Sequence, residues 1–273
     1  MVGAGELVGE LGLVTGSDRR ATVTALTTAV VEIGDADSFL KCLQDEVFVE
    51  KVARSIADRL ASLSVPATIA LREGGEVTLR PGLKSDRSAL DAGLAAMSRE
   101  SLRRRFFSGG MPPKTVIDRL AELDYVDHFA WVASDGAEPD GDLIGSARFF
   151  RSDTDPTAAD VSFGVIDRAQ GRGVGYVLVE AIAVAAGAAG IRRLTADVLR
   201  DNGPMLSLLR RPNTRSSSRE RGVVHLDMQT SDFGTSLPVH IQHQLAEISS
   251  SIIWHTAALL AGFDHDFSKD VDG

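Results

Sequence analysis

One stretch restricts the fold more than any other: Asp160-Val-Ser-Phe-Gly-Val-Ile166, Gln170-Gly-Arg-Gly-Val-Gly175, then Tyr176-Val-Leu-Val-Glu-Ala-Ile182. The first piece has the β-branched and aromatic content of a strand, and the last reads as a helix. The glycines between them let backbone N–H groups approach a ligand closely. The helix start behind them offers unpaired donors and a positive dipole end. A strand, glycine loop and helix in this order predict an α/β fold with an anion site suited to a pyrophosphate, to which Arg172 adds a formal charge. A dinucleotide loop would need a third glycine where Tyr176 stands, and a triphosphate loop would need Gly-Lys-Ser/Thr. An ordinary strand-to-helix turn would use the same glycines.

Composition narrows the partners. The chain has 273 residues, 44% hydrophobic and 25% charged, enough for a buried core. A net charge of -9 argues against nucleic acid and against anionic membranes. Cys42 is the only cysteine, which excludes an internal disulfide and a cysteine-rich zinc site and fits a reducing cytoplasm. Met1 to Gly16 lacks a basic start and is interrupted by Glu6 and Glu10, so it does not read as a signal peptide. The longest apolar run, Val177 to Ala189, is short and contains Glu180. A soluble, cytoplasmic protein without a bound metal is expected.

Periodicity places further elements. Ala21 to Leu26 reads as a strand, and Ser38 to Leu63 as one helix with Leu40, Leu43, Val47, Val52, Ile56 and Leu60 near helical spacing and Ser38 as its N-cap. Ser64-Val-Pro66 breaks it, and residues 64–74 read as a linker. Beyond it come a strand at Glu76 to Arg80, helices at Asp86 to Ser98 and from Pro112-Pro113 to about Leu123, and strands at His128 to Ala133, Leu143 to Phe150 and Asp160 to Ile166. A helix over about Val174 to Ala188 ends at Gly190 and leads into a strand, Arg193 to Leu199. Arg210 to Arg221 reads as a basic, Ser-rich mobile loop, Val223 to Gln229 as a strand, and Val239 to Leu260 as an amphipathic helix on Ile241, Leu245, Ile248 and Ile252. The acidic tail, 263–273, is expected to fray.

The pattern Gln170-x-x-Gly173-x-Gly175 after such a strand, with Leu199-Arg-Asp-Asn202 ending the next one, resembles the CoA-binding motif of the GNAT superfamily of N-acetyltransferases. Glu100-Ser-Leu-Arg-Arg-Arg-Phe-Phe107, Asp124-Tyr-Val-Asp-His128 and Asp201-Asn-Gly-Pro-Met205 are similar to the bacterial protein-lysine acetyltransferases called Pat. The resemblance implies a GNAT-type mixed sheet flanked by helices over residues 75–262, with acetyl-CoA as co-substrate. It implies that the pyrophosphate lies on Gln170, Gly171, Arg172, Gly173, Val174 and Gly175. It implies that Ser162, Phe163 and Gly164 bind the pantetheine arm and orient the acetyl carbonyl. Asn202 lies near the pantetheine or thioester, and Arg211 joins the cofactor-binding set. The base position is Glu in most relatives and Asp160 here.

These parts suit acyl transfer. A lysine ammonium, with an ordinary pKa of about 10.4, must lose a proton before attacking a thioester. A carboxylate at Asp160 accepts that proton, through a water if the shorter side chain requires it. A backbone N–H near Phe163 stabilises the oxyanion. Tyr125 and Tyr176 are the only tyrosines, and neither follows Asn202, where the family's general-acid Tyr is expected. Asp160 taken alone also reads as a solvated strand-edge carboxylate.

A second motif lies at the start. Gly9-Glu-Leu-Gly-Leu13 followed by Arg19-Arg-Ala-Thr-Val23 resembles the phosphate cassette of cyclic-nucleotide-binding domains. The resemblance implies that Gly9, Glu10, Leu11 and Gly12 form the turn, that Glu10 binds a ribose hydroxyl, and that Arg19, or Arg20, binds the phosphate. Arg59, on the following helix, is the residue facing the purine. Residues 1–63 then form a partial cyclic-nucleotide-binding β module and helix. The several strands that normally precede the cassette have no room before residue 9, so cyclic AMP, the candidate allosteric ligand, is expected to act weakly or not at all. The stretch matching the family's inhibitory lid, Asp86 to Ser98, holds no His, and Leu94 falls near that place.

Other residues have plainer readings. His240 and His243 are spaced for a metal without the remaining ligands, Trp131 reads as core, and Arg103 to Arg105 as a solvated basic face or as CoA-phosphate contacts. The expected activity is acetyl transfer to protein lysines. A small-molecule amine acetyltransferase and a non-catalytic cyclic-nucleotide or CoA sensor are the alternatives.

Overall fold

The computed structural model describes residues 7–15, 22–138, 141–220 and 222–261. Its frame is an eight-stranded mixed sheet: β1 (Ala67–Ala70), β2 (Glu76–Pro81), β3 (His128–Asp135), β4 (Leu143–Arg151), β5 (Ala158–Val165), β6 (Arg193–Leu199), β7 (Arg215–Glu220) and β8 (Val223–Gln229). The strands lie in the order β1-β2-β3-β4-β5-β6-β8-β7. Neighbours are antiparallel except β5 and β6, which run parallel because a helix crosses over between them.

Helices cover both faces, as the α/β pattern requires. Short helices α1 (Glu10–Thr15) and α2 (Ala36–Cys42) precede α3 (Glu46–Leu63). Helices α4 (Arg87–Ala95), α5 (Arg99–Phe106) and α6 (Lys114–Ala121) fill the connection from β2 to β3 and lie over one face. The crossover helix α7 (Val174–Ala188) packs on β3, β4 and β5 from the other side. The short α8 (Gly203–Leu209) follows β6, and α9 (Val239–Leu260) packs against α7, α3 and β1. The two-residue period of β5 explains the layering: Val161 and Phe163 join the main core, while Asp160, Ser162 and Gly164 take the opposite face. Phe129, Trp131, Phe149, Leu178 and Ile182 form the centre of that core, each at 0% exposure.

The expected α/β fold stands, with local differences. Residues 22–35 contain no strand and are exposed, because β-branched residues favour a strand only where a partner and a buried face exist. Ala21 lies outside the described residues. The helix expected over 38–63 is two helices: Asp45 caps α3 by accepting from Phe48 N (3.0 Å), and Asp35, rather than Ser38, caps α2. The stretch expected as a linker contains β1, whose Ala67 and Ile69 are buried and whose ladder pairs Ala67 with Leu79 through Ala70 with Glu76. The Ser-rich stretch expected as a loop contains β7, an edge strand whose polar residues suit an exposed sheet margin. Helix α8 carries the N-cap of Asn202 and Pro204 in its first turn. The acidic tail falls outside the described residues.

Candidate active site

The parallel ladder of β5 and β6 is short. Ala158, Ala159 and Asp160 pair with Arg193, Leu194 and Thr195, and no pairing continues, although β5 runs on to Val165 and β6 to Leu199. The strands therefore part after Asp160 and Thr195. The β5 edge beyond Asp160 is left facing a cleft, and backbone groups there that lack a ladder partner need one from elsewhere in the chain, from another molecule or from water.

The glycine loop lies beyond the end of β5. Gln170 anchors it by donating from Nε2 to Val165 O and Ser101 Oγ, both at 3.0 Å. Gly171 (φ +77°) and Gly173 (φ +91°) hold left-handed conformations that L side chains rarely adopt. A Cβ at Gly171 would meet nothing within 4 Å, so the space over the loop is open. Gly173 is the N-cap of α7, and no side chain caps that helix. The first-turn N–H groups of this 15-residue helix have no side-chain cap, which fits a phosphate of CoA. Val174 is buried at 1% beneath them, and Gly175 leaves room for Leu208, whose Cδ1 would be 3.2 Å from an added Cβ.

Arg172 stands on this loop but is paired bidentately with Asp135, at 2.6 and 3.0 Å. The guanidinium beside Asp135 holds that carboxyl below the ordinary range. A second cation, Arg72, was not singled out in the sequence. Its guanidinium carbon lies 4.8 Å from the Tyr176 ring centroid in the first turn of α7.

Asp160 lies on β5 at the last paired register before the cleft, and its side chain is exposed. Thr195 Oγ1 is 3.4 Å from its Oδ1. Ser162 is half-buried on the same face, whereas the Phe163 ring is in the main core. Two positions along β6 from Thr195, Asp197 Oδ1 meets His225 Nδ1 at 2.7 Å. This His–Asp pair joins residues 28 apart in sequence on β6 and β8, and no local spacing announces it.

Other expected residues have structural partners. Asn202 is 7% exposed and accepts from Met205 N (3.3 Å), capping α8 at the end of β6. Arg211 donates to Glu180 Oε1 (2.8 Å) and to Leu208 O, which makes it a tie between α7 and the chain beyond α8. His240 and His243 are exposed on α9, and no cluster of metal-ligating side chains occurs among the described residues. Tyr125 is buried, donates to Asp58 Oδ1 and Gly82 O, and has its pKa pushed up by burial.

In the first module, Gly9 has φ +91°, and Glu10 begins α1, which also holds Leu11 and Gly12. Glu10 is 2% exposed, lies 3.0 Å from Arg59 Nε and accepts from Ser55 Oγ (2.9 Å). Arg59 also donates to Leu7 O. Arg19 and Arg20 lie outside the described residues.

A split parallel strand pair with an uncapped helix behind a glycine loop defines a class, and comparison with known proteins agrees. Residues 97–212 match the Acetyltransferase (GNAT) family. The GNAT domain of S. lividans PAT is 31% identical, with 60% of this chain covering 96% of that one at a TM-score of 0.54. The chain belongs to the GNAT acetyltransferase family. Within it, the chain is 36% identical to "Acetyltransferase Pat" of Mycolicibacterium smegmatis over 220 residues, 81% of this chain. It spans 66% of that relative's length. A solved "cAMP-binding acyltransferase from Mycobacterium smegmatis" is 30% identical, with 92% of this chain covering 74% of that one at a TM-score of 0.55. Among the described residues, no helix is long and apolar enough to cross a membrane.

Proposed function

We propose that this chain transfers acetyl from acetyl-CoA to the side-chain amine of protein lysines. The observation that carries this reading is the parting of β5 and β6 just after Asp160, with the glycine loop and bare α7 start at the end of β5. Acetyl-CoA supplies an activated thioester. The N–H groups of Gly171 to Gly175 hold its pyrophosphate, and the free edge of β5 from Ser162 to Gly164 holds the pantetheine arm. A β5 backbone N–H near Phe163 takes the carbonyl oxygen.

Asp160 accepts the proton of the incoming ammonium, from the exposed face of the same strand. The acceptor approaches a sheet surface that carries carboxylates: Asp160 and Asp227 flank Thr195 in one row across β5, β6 and β8, and Asp197 lies two positions along β6, opposite His225. That charge suits a cationic lysine. Cyclic AMP is the candidate allosteric ligand, through Glu10 and Arg59. The cyclic-AMP binding of the mycobacterial relative supports that assignment, whereas the existing Glu10–Arg59 contact must open for a nucleotide to enter.

The test is incubation of the full chain with acetyl-CoA and a mixture of candidate proteins, with acetyl-lysine read by mass spectrometry. Lysine acetylation above the uncatalysed level is the expected result. Acetylation of free amines but of no protein would support the small-molecule alternative. Binding of acetyl-CoA without turnover on either would make the chain a sensor.

A further inference from the structure

Three consecutive arginines on α5 have different fates. Arg103 pairs with Glu100 and Asp201, and Arg104 pairs with Glu100. Arg105 turns inward, against its expected place on a solvated basic face. Its Nε and Nη1 are buried and have no hydrogen-bond partner among the described residues. Gly164 permits this, because a Cβ there would come within 2.8 Å of Arg105 Nη1.

Arg148, on β4, lies against the same space. It is 3% exposed, donates to the Leu120 carbonyl and weakly to Ser146 Oγ (3.4 Å), and leaves its buried Nε without a partner. Neither arginine has a carboxylate within ion-pair distance among the described residues. Both line a cavity of about 70 Å³ between α4, α6 and strands β3 to β5, whose walls include Leu90, Leu94, Met97 and Leu143. The other charged groups on its wall are already matched: Asp86 with Arg80, and Arg87 with Asp91 and Asp118. Arg105 as a whole is half-buried, with its guanidinium carbon 5.3 Å from the Phe106 ring centroid. Two cations with buried, unpaired N–H groups and no counter-charge are costly, and an anion between them would offset that cost. Burial pushes both pKa values down, to about 10 for Arg105 and about 9 for Arg148, and Arg148 is lowered further by Arg105.

We infer that this cavity binds a short-chain carboxylate, its charge held by Arg105 and Arg148 and its aliphatic body by the leucines and Met97. Planar guanidinium forks match a carboxylate, and the apolar wall excludes a fully hydrated anion such as sulfate. Because Gly164 lines the cavity, the carboxylate has two sources: a free small acid, or the far end of a dicarboxylic acyl group carried on CoA. The second source rests on the proposed acetyl-CoA site.

The experiment is thermal unfolding of the full chain with sodium butyrate, against n-butanol and sodium chloride at equal concentration. Tenfold saturation with butyrate is expected to raise Tm by about 3–5 °C, with no rise in either control. Arg105→Met is expected to lose the response while its ligand-free Tm stays level or rises, because an unpaired buried cation has been removed. A parallel titration compares succinyl-CoA with acetyl-CoA. No butyrate response, but at least tenfold tighter succinyl-CoA that loses its advantage in Arg105→Met, assigns the carboxylate to the acyl donor. Acetyl-CoA binding in the same titration shows separately whether the CoA site stands. No butyrate response together with equal affinity for the two esters overturns the inference. So does an Arg105→Met variant that is destabilised yet still responds to butyrate.

Discussion

Asp160 combines two features at one position: the last paired register before the cleft and an exposed carboxylate on the face opposite the main core. Asp160→Asn is expected to keep acetyl-CoA affinity and lower turnover by about 10²–10⁴-fold, the usual contribution of a general base. Asp160→Glu is expected to be active, and steady-state rates at neutral pH check both. If Asp160→Asn turns over like the parent, the His225–Asp197 pair becomes the next candidate base. His128 gives a residue-scale prediction of another kind. Its ring stacks on Phe150 at 4.0 Å, and burial first, then Arg148, pushes its pKa down to about 4. The unfolded chain binds the proton near the ordinary value of about 6.5, so stability is full above that pH and is lost as pH falls towards 4. Between pH 7 and 5 the parent is expected to lose about 2 kcal/mol by denaturant titration. His128→Gln is expected to lose much less. At this scale the sequence exposed the loop glycines, because left-handed backbone has a residue signature. It did not distinguish Arg105 from Arg103 and Arg104, since only packing decides which of three identical neighbours turns inward.

Helix α7 was legible over its whole length, from the glycine loop before it to Gly190 after it, because both ends carry strong local signals. What it holds was less visible. Glu180, at 1% exposure, receives Arg211 at 2.8 Å and the Gly234 N–H at 2.6 Å, tying α7 to two later segments. Glu180→Ala would strand Arg211 and leave a buried N–H unpaired, so a loss of about 3–5 kcal/mol is expected in chemical denaturation. A loss under 1 kcal/mol would show that Arg211 finds water instead. Strands β1 and β7 escaped sequence reading for a related reason. Each is a short margin strand: β1 alternates over only four residues, and β7 has no apolar period at all.

Across the molecule, α3 links α1 to β2 and α9. Val52, Ala53 and Ile56 cluster with Leu259 of α9, and Asp58 accepts from the buried Tyr125 hydroxyl (2.9 Å) and from Lys84 N (3.1 Å). Under the proposed cyclic-AMP regulation, these contacts are the ones that join Glu10 and Arg59 to the rest of the chain. Since Glu10 is already paired with Arg59 and Ser55, a nucleotide must displace existing contacts, and a ligand shifts activity only by its differential affinity for two states. Cyclic AMP is therefore expected to change the turnover of this chain less than about twofold. Strong activation would show that the Glu10–Arg59 contact is readily exchanged. The central claim, however, is the cofactor cleft. It is tested most directly by calorimetric titration of acetyl-CoA into the parent and into Gly173→Val, with circular dichroism to confirm that both are folded. Saturable one-to-one binding to the parent, abolished in a folded Gly173→Val, is the predicted result, and equal affinity of the two proteins would contradict the placement of the pyrophosphate on this loop.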